Sequence, residues 1–323
     1  MTDIRVFPPD PLPSGCIAES TEFELAESFC HISPSDLQVP VSRAPSLFDC
    51  SAALLERKQS ASSFAPMTDS LVRVENAADG AVRTVTLNRP EKRNALNVPM
   101  LAELQQLFTR EPPATERLTV LRAVGPSFCA GVDLKERDTN GMAGSASAIE
   151  EMLHSVAMYP LPVVAVVHGD AIAGGNELAL HCDLVVAAHT ARFGMSLAQI
   201  GLAPTWFLAN KIMEVGGPVF AREMLLIGDP VSSTRMADLG MILRSVPDDQ
   251  LEDDVQLLID RLAVNAPLSL RAMKAMLTRQ MQFRDGIAHD DVDAMVETAR
   301  QSQDAKRGIA ARLAGATADF HGN

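Results

Sequence analysis

Two short apolar runs, Leu118–Ala123 and Val163–Val167, constrain the fold most strongly, because each leads into a glycine-containing turn and then a helical segment. Runs of this length and character suit buried strands. A strand, a turn and a helix in repeated succession indicate an α/β fold with a layered core. Upstream, residues 71–75 and 82–88 alternate apolar and polar positions around Asp79-Gly80, which predicts a β-hairpin.

Composition narrows the class of protein. The chain has 323 residues, 47% of them hydrophobic, and a net charge of -13, so it can bury a sizeable core and is poorly suited to bind nucleic acid. No run reaches the roughly 18 apolar residues of a membrane span, and the first residues lack a secretory signal. The cysteines are scattered without metal-ligand spacing. We therefore expect a cytoplasmic protein with reduced thiols, no metal site, and neither membrane nor nucleic acid as partner.

The organisation along the chain changes near residue 66. Residues 1–66 are rich in Pro, Ser and Asp and show no lasting apolar period, which predicts a mostly disordered N-terminal extension. Residues 67–250 hold the strand–turn–helix pattern and form the predicted core. Residues 251–323 are predicted to form a C-terminal helical region.

Two glycine-containing turns stand out within the core, at residues 127–135 and 168–178. Each follows a strand, and the second runs directly into a helix after Gly174-Gly175. The N-terminus of a helix presents unpaired N–H groups, and small residues allow a ligand oxygen to approach the backbone. One N–H group from each turn could thus bind a single oxygen as an oxyanion hole. The alternative is tight strand-to-helix packing without a ligand.

Four segments in fixed order resemble the crotonase family, also called the enoyl-CoA hydratase/isomerase superfamily. They are TLNRPEKRNALN at 86–97, FCAGVDLKE at 128–136, the long block PLPVVAVVHGDAIAGGNELALHCDLVVAAHTARFG at 160–194, and SQDAKRGIAARL at 302–313. The resemblance covers about residues 70–315. It implies a spiral of ββα units followed by C-terminal helices, assembled as a homotrimer or a dimer of trimers. It also implies an acyl-CoA substrate and no separate cofactor, since coenzyme A is part of the substrate.

The resemblance also assigns residues to the site. The N–H groups of Val132 and Gly174 would form the oxyanion hole around the thioester oxygen. Trp206 could line the acyl pocket, although simple core packing explains it equally well. Residues 136–150 are expected to be a mobile loop that sets the acyl-chain length. The expected substrate- and CoA-binding residues are Lys92, Ala95, Leu96, Ala130, Gly131, Asp133, Leu134, Lys135, Leu197 and Trp206.

Glu177 matters most for the expected chemistry. It matches one of the two glutamates that hydratases of the family use as acid and base, and it follows Gly174 by three residues. Its alternative role is to complement the helix dipole. The second hydratase glutamate falls on Leu197, and no carboxylate occupies the neighbouring positions, where Ser196 or Gln199 could hold a water instead. A single carboxylate suits proton transfer between two carbons better than hydration, which needs two proton transfers.

Three functions follow from this pattern. The first is an enoyl-CoA isomerase or hydratase of fatty acid metabolism that stabilises a thioester enolate, with Glu177 as the proton-transfer residue. The second is another reaction through the same enolate, such as decarboxylation or carbon–carbon cleavage by a lyase. The third is a catalytically silent acyl-CoA-binding paralogue, which the loss of a carboxylate at Leu197 keeps open.

Overall fold

The computed structural model describes residues 70–77, 79–136, 145–284 and 286–323. The predicted extension 1–66 lies outside these residues. Ten strands and nine α-helices form the described part of the chain. The strands are β1 Val72–Asn76, β2 Val82–Leu87, β3 Leu118–Ala123, β4 Ser127–Cys129, β5 Val163–Val167, β6 Asp170–Ile172, β7 Leu184–Ala188, β8 Arg192–Gly194, β9 Val231–Ser232 and β10 Arg244–Val246. The helices are α1 Val98–Thr109, α2 Ser145–Met158, α3 Gly174–Leu180, α4 Trp206–Arg222, α5 Ser233–Asp238, α6 Leu251–Ala263, α7 Pro267–Met281, α8 Asp290–Gln301 and α9 Gln303–Ala314.

The strands form two sheets. The larger has the order β1-β2-β3-β5-β7-β10 and the smaller the order β4-β6-β8-β9. Within the larger sheet only the hairpin of β1 and β2 is antiparallel, and the other pairs are parallel. Successive pairs β3–β4, β5–β6 and β7–β8 place one strand in each sheet before the chain returns through helical structure. This repetition is the predicted spiral of ββα units.

Both faces of the larger sheet are buried, which explains the continuous apolar runs that the sequence shows. On β5, Val163, Ala165 and Val167 face the main core, whereas Val164 and Val166 pack with helix α6 through residues such as Val255. Alternate residues of a strand point to opposite faces, so a strand between two layers needs apolar residues at every position. The predicted hairpin is also present, with Gly80 in the left-handed region at φ 70°.

The helix α9 packs closely on the short turn at 198–200. Ile200 and Leu202 form a small core with Ala305 and Ile309 of this helix. A Cβ atom at Gly308 would lie 2.2 Å from the carbonyl oxygen of Ile200, so only glycine permits this approach. The last part of the chain thereby lies next to residues 195–202. Among the described residues, no helix is long and apolar enough to cross a membrane.

A buried ion pair joins strand β2 to the segment before β3, and its arginine also contacts β3 and helix α1. Arg83 and Glu116 are almost fully buried, with 3.3 Å between Arg83 Nε and Glu116 Oε1. Arg83 also donates to the Thr119 hydroxyl at 3.0 Å and to the Leu107 carbonyl at 2.9 Å. The hydroxyl of Tyr159 donates to Glu116 Oε1 at 2.6 Å. Each charge is therefore compensated where water is excluded.

Removing one member of this pair should destabilise the fold strongly. Glu116→Ala leaves the Arg83 guanidinium buried without its counter-charge, and we expect a loss of about 3–5 kcal/mol in the free energy of unfolding. Urea denaturation measures the difference. The control is Glu252→Ala at the exposed Arg122–Glu252 pair, where we expect at most about 1 kcal/mol. Equal losses in the two variants would contradict this interpretation.

Candidate active site

The first glycine turn is held as a short strand against residues 95–97. The Leu96 N–H donates to the Gly131 carbonyl at 2.7 Å, and the Asp133 N–H donates to the Leu96 carbonyl at 2.9 Å. Leu96 thus pairs with the residues on either side of Val132. The N–H group of Val132 points to the opposite side, because amides alternate along an extended chain. Gly131 makes the turn possible with a φ of 87°.

The second turn begins helix α3 directly after strand β6. Ala173 adopts φ 49° and ψ -116°, which is strained for a residue with a Cβ atom and costs of order 1–3 kcal/mol. Its N–H group donates to the Gly194 carbonyl at 2.7 Å, and its carbonyl accepts from the Glu177 N–H at 3.0 Å. Gly174 is consequently the first residue of the helix, where N–H groups lack an intrahelical partner.

The two turns bring the amides of Val132 and Gly174 together. A Cβ atom at Gly131 would lie 3.0 Å from Gly174 N, and one at Gly174 would lie 3.5 Å from Val132 N. Neither amide donates a hydrogen bond to any residue that the structure describes. Two adjacent unpaired donors can bind one oxygen that carries developing negative charge.

Val132 and Gly174 both line one cleft. Its walls are mainly apolar, and its charged side chains are Glu150, Arg300 and Arg312. This character suits a ligand with an apolar part and a few polar anchor points. The lining residues are Ala130, Val132, Leu134, Ile149, Glu150, Ile172, Ala173, Gly174, Met195, Ser196, Leu197, Ile200, Ala203, Leu208, Arg300 and Arg312.

Comparison with known proteins decides the family. The model of the enoyl-CoA hydratase/isomerase family matches residues 77–323. The chain belongs to this family.

Named relatives of the chain include both an isomerase and a hydratase. The chain is 33% identical over 251 residues to the 1,2-epoxyphenylacetyl-CoA isomerase of Escherichia coli, covering 74% of this chain and 88% of the relative. It is 29% identical over 245 residues to the 2,3-dehydroadipyl-CoA hydratase of the same organism, covering 75% of this chain and 95% of the relative. The solved enoyl-CoA hydratase structure of Mycobacterium smegmatis matches with a TM-score of 0.63 and 29% identity, covering 78% of this chain and all of that one.

Several of the predicted binding residues line the cleft of this enoyl-CoA hydratase/isomerase family member, and others frame it. Ala130, Val132, Leu134, Gly174 and Leu197 line it. Leu96 and Gly131 hold the first turn in place through the hydrogen bonds described above.

The remaining predicted residues lie around the cleft. The Ala95 carbonyl accepts from Arg89 Nη1 at 2.9 Å, and Lys92 and Lys135 are exposed near the first turn. Trp206 lies in a neighbouring cavity, where its ring stacks on His289 with centroids 4.8 Å apart. The CoA-binding roles of these residues stay predictions.

Asp133 has a clear local role at the first turn. Its carboxylate accepts from Arg89 at 2.8 Å and from the Lys135 N–H at 3.0 Å. Burial alone would raise the pKa of Asp133, but these hydrogen bonds and the Arg89 charge bring it below its ordinary value. Asp133 therefore stays ionised and fixes the end of the turn.

Glu177 lies on the first turn of α3 but does not line the cleft. It is fully buried, and neither carboxyl oxygen has a hydrogen-bond partner among the described residues. Its Oε2 atom lies 3.6 Å from Nδ1 of His181, one helical turn further on. That Glu177 faces the same pocket as Gly174 stays a prediction. Its role in proton transfer stays a prediction.

Burial shifts the pKa values of both Glu177 and His181. Desolvation raises the pKa of Glu177 well above its ordinary range, and the charge of Lys211 only partly opposes this. Desolvation and the same Lys211 charge lower the pKa of His181 to about 3. His181 is therefore uncharged at neutral pH, and burial favours the protonated form of Glu177.

Leu197, the residue predicted to take the place of the second hydratase glutamate, lines the cleft as an apolar residue. The neighbouring Ser196 also lines it. The amide of Gln199 donates to the Ile227 carbonyl at 3.1 Å and to Asp229 Oδ1 at 2.9 Å. Gln199 is thus already bound elsewhere, which leaves Ser196 as the cleft residue able to hold a water at this position.

Sequence reasoning missed Glu150 and Arg300, both of which line the cleft. The prediction of a loop over residues 136–150 is wrong from Ser145 onward, because helix α2 begins there; residues 137–144 lie outside the described part. Ile149, Leu153 and Val156 recur at intervals of four and three residues and are all buried. This helical spacing was the available signal.

The buried Glu177 carboxyl group predicts a pH-dependent stability. Because its pKa is raised, the folded state holds a proton at pH values where the unfolded chain has released it. The free energy of unfolding therefore falls as the pH rises above the unfolded value of 4.5. We expect Glu177→Gln to gain stability relative to wild type at about pH 8 and to lose this gain at about pH 4.

Urea denaturation at the two pH values measures this difference. Glu91→Gln, at an exposed position of the 90–92 turn, is the control and should show no such change. A difference between Glu177→Gln and wild type that is constant with pH would contradict the prediction.

Proposed function

We propose that this protein is an acyl-CoA enzyme of the enoyl-CoA hydratase/isomerase type, which stabilises a thioester enolate with the N–H groups of Val132 and Gly174. The observation that supports this most directly is the approach of these two unpaired amides at one cleft. Membership of the family supports the acyl-CoA substrate. Its relatives named above include an isomerase and a hydratase of CoA thioesters.

The chemistry follows from the charge that develops on the thioester oxygen. Removing a proton from the α-carbon, or adding water at the β-carbon, moves an electron pair onto this oxygen. Two N–H groups fixed by the backbone stabilise the enolate without having to reorganise, which lowers the barrier. The apolar walls exclude water and strengthen these hydrogen bonds.

Isomerisation fits the cleft better than hydration. Hydration needs one group to take a proton from water and another to deliver a proton to the α-carbon. With Leu197 in place of one carboxylate and Glu177 outside the lining, the cleft offers no matched pair of the usual kind. Moving one proton between two carbons of a bound dienolate needs a single carboxylate.

An assay with two substrates tests the proposed function. The protein is incubated separately with a 2-enoyl-CoA and a 3-enoyl-CoA, and products are followed by mass and by enoyl-thioester absorbance. We expect conversion of the 3-enoyl-CoA without a change in mass. A gain of water would identify a hydratase. Binding without any turnover would support the silent paralogue and contradict the proposal.

If Val132 and Gly174 form the oxyanion hole, adding one methyl group at Gly174 should lower kcat. In Gly174→Ala the new Cβ atom would lie 3.5 Å from Val132 N, where it occupies the space of the bound oxygen. The flexible tip of Ile149, at 2.8 Å, can shift, so we expect the fold to persist. Losing an oxyanion donor costs about 100-fold or more in kcat, and we expect a loss of that size.

Gly286→Ala is the matched control, because its Cβ atom would meet no described atom within 4 Å. Circular dichroism verifies that both variants are folded. A folded Gly174→Ala variant that turns over 3-enoyl-CoA as fast as Gly286→Ala would contradict the assignment of the oxyanion hole.

A further inference from the structure

Among the described side chains that line the cleft, Glu150 carries the only carboxylate. The other charged lining residues, Arg300 and Arg312, are cations that cannot accept a proton at neutral pH. The apolar and small residues around them offer no other group of suitable basicity. An acid or base acting in this cleft therefore has to be sought first at Glu150.

Helix α2 borders the same cleft as the two amides and contributes Ile149 and Glu150 to its lining. The preceding residue, Ile149, has its Cδ1 atom 2.8 Å from the point where a Cβ atom of Gly174 would lie. Ile149, Glu150, Val132 and Gly174 all border the same space. A thioester whose oxygen sits between the two amides would thus have its carbon chain in the cavity that Glu150 lines.

The surroundings of Glu150 leave one of its oxygens without a hydrogen-bond partner among the described residues. This oxygen, Oε1, is buried. The carboxylate is hydrogen-bonded by the Thr205 side chain and faces the charges of Arg300 and Asp293. His289 and Glu297 border the neighbouring cavity that Glu150 also lines. A half-buried carboxylate with one unpartnered oxygen can exchange a proton with a ligand that comes within hydrogen-bond distance of it.

We propose that Glu150 is the proton-transfer residue of this enzyme, supplying from helix α2 the carboxylate that Leu197 does not provide. This inference rests on the proposed function. Leu197 and Glu150 line the same cleft, so a carboxylate at either position can reach a common substrate. Glu177 is the rival candidate, but its carboxyl group lies outside this lining and close to His181.

The step is balanced without any co-reactant. Glu150 takes a proton from C2 of a 3-enoyl-CoA, and the C–H electron pair forms a dienolate whose negative charge lies on the thioester oxygen. The Val132 and Gly174 amides bind this oxygen. The protonated Glu150 then returns the proton to C4, the C3–C4 double bond moves to C2–C3, and the carboxylate is restored.

Burial raises the pKa of Glu150, whereas the Thr205 hydrogen bond and the Arg300 charge oppose the rise, and Asp293 adds to it. As a base, Glu150 works only when ionised. The value of kcat/KM should therefore fall as the pH decreases through a pKa above the ordinary 4.5 of a glutamate. Replacing Glu150 with Gln should remove this acid limb.

The deciding experiment compares Glu150→Gln with Glu151→Gln in the full chain. Glu151 is the next residue, exposed to solvent, and accepts from Gln105 Nε2 at 3.2 Å. Two reactions are measured: conversion of a 3-enoyl-CoA, and exchange of the α-protons of butyryl-CoA in deuterium oxide. The exchange reaction needs only the oxyanion hole and the base. Binding of butyryl-CoA is measured by calorimetry.

We expect Glu150→Gln to lose about 100-fold or more in both reactions while it still binds butyryl-CoA. Glu151→Gln should match wild type. Glu150→Asp keeps the carboxylate on a shorter side chain, so it should be slower than wild type but retain the acid limb. This variant also provides the test if Glu150→Gln does not fold.

Three outcomes would overturn the inference. Exchange in folded Glu150→Gln at the rate of Glu151→Gln would exclude Glu150 as the base, and so would loss of the acid limb in an active Glu150→Asp. A greater loss in Glu177→Gln than in Glu150→Gln would assign the proton to Glu177 and leave the proposed function intact. If the wild-type protein neither converts enoyl-CoA nor exchanges α-protons, the proposed function itself fails.

Discussion

The approach of two backbone amides from separate turns is the constraint on which the rest of the structure depends. Val132 follows a strand of the smaller sheet, and Gly174 follows its parallel neighbour. Because these strands lie side by side, the turns after them are neighbours as well. The spiral of ββα units thus fixes the amides by main-chain hydrogen bonds, and side chains are free to vary around them.

Burial shifts the two carboxyl groups near these amides in the same direction but against different surroundings. Glu177 is fully buried, and desolvation raises its pKa well above the ordinary range of a glutamate. Glu150 is half-buried, and burial raises its pKa as well, although the Thr205 hydrogen bond and the Arg300 charge oppose the rise. Different surroundings can thus give two chemically identical groups different proton affinities.

The sequence predicted the fold more fully than the site. Buried strands such as Val163–Val167 and the glycine turns carry their own pattern, because backbone geometry and layer packing dictate those residue types. The adjacency of Val132 and Gly174 also agrees with the ordered motifs, whereas the hydrogen bonds by which Leu96 frames the first turn were not predicted. The directions of side chains could not be predicted in this way. The sequence places Glu177 near Gly174, but it does not show that the carboxyl group lies close to His181. Glu150 was missed because the glycine and serine residues at the start of its helix are typical of loops.

The contact of Gly308 with Ile200 links the width of the cleft to a position far from the two amides. Helix α9 contributes Arg312 to a wall of the cleft, yet it lies far along the chain from Val132 and Gly174. The close approach of this helix to residues 198–200 depends on Gly308, which faces the Ile200 carbonyl. A larger residue at position 308 would displace the helix and widen the cleft. A substitution there could thus change the width of the cleft without altering the two amides.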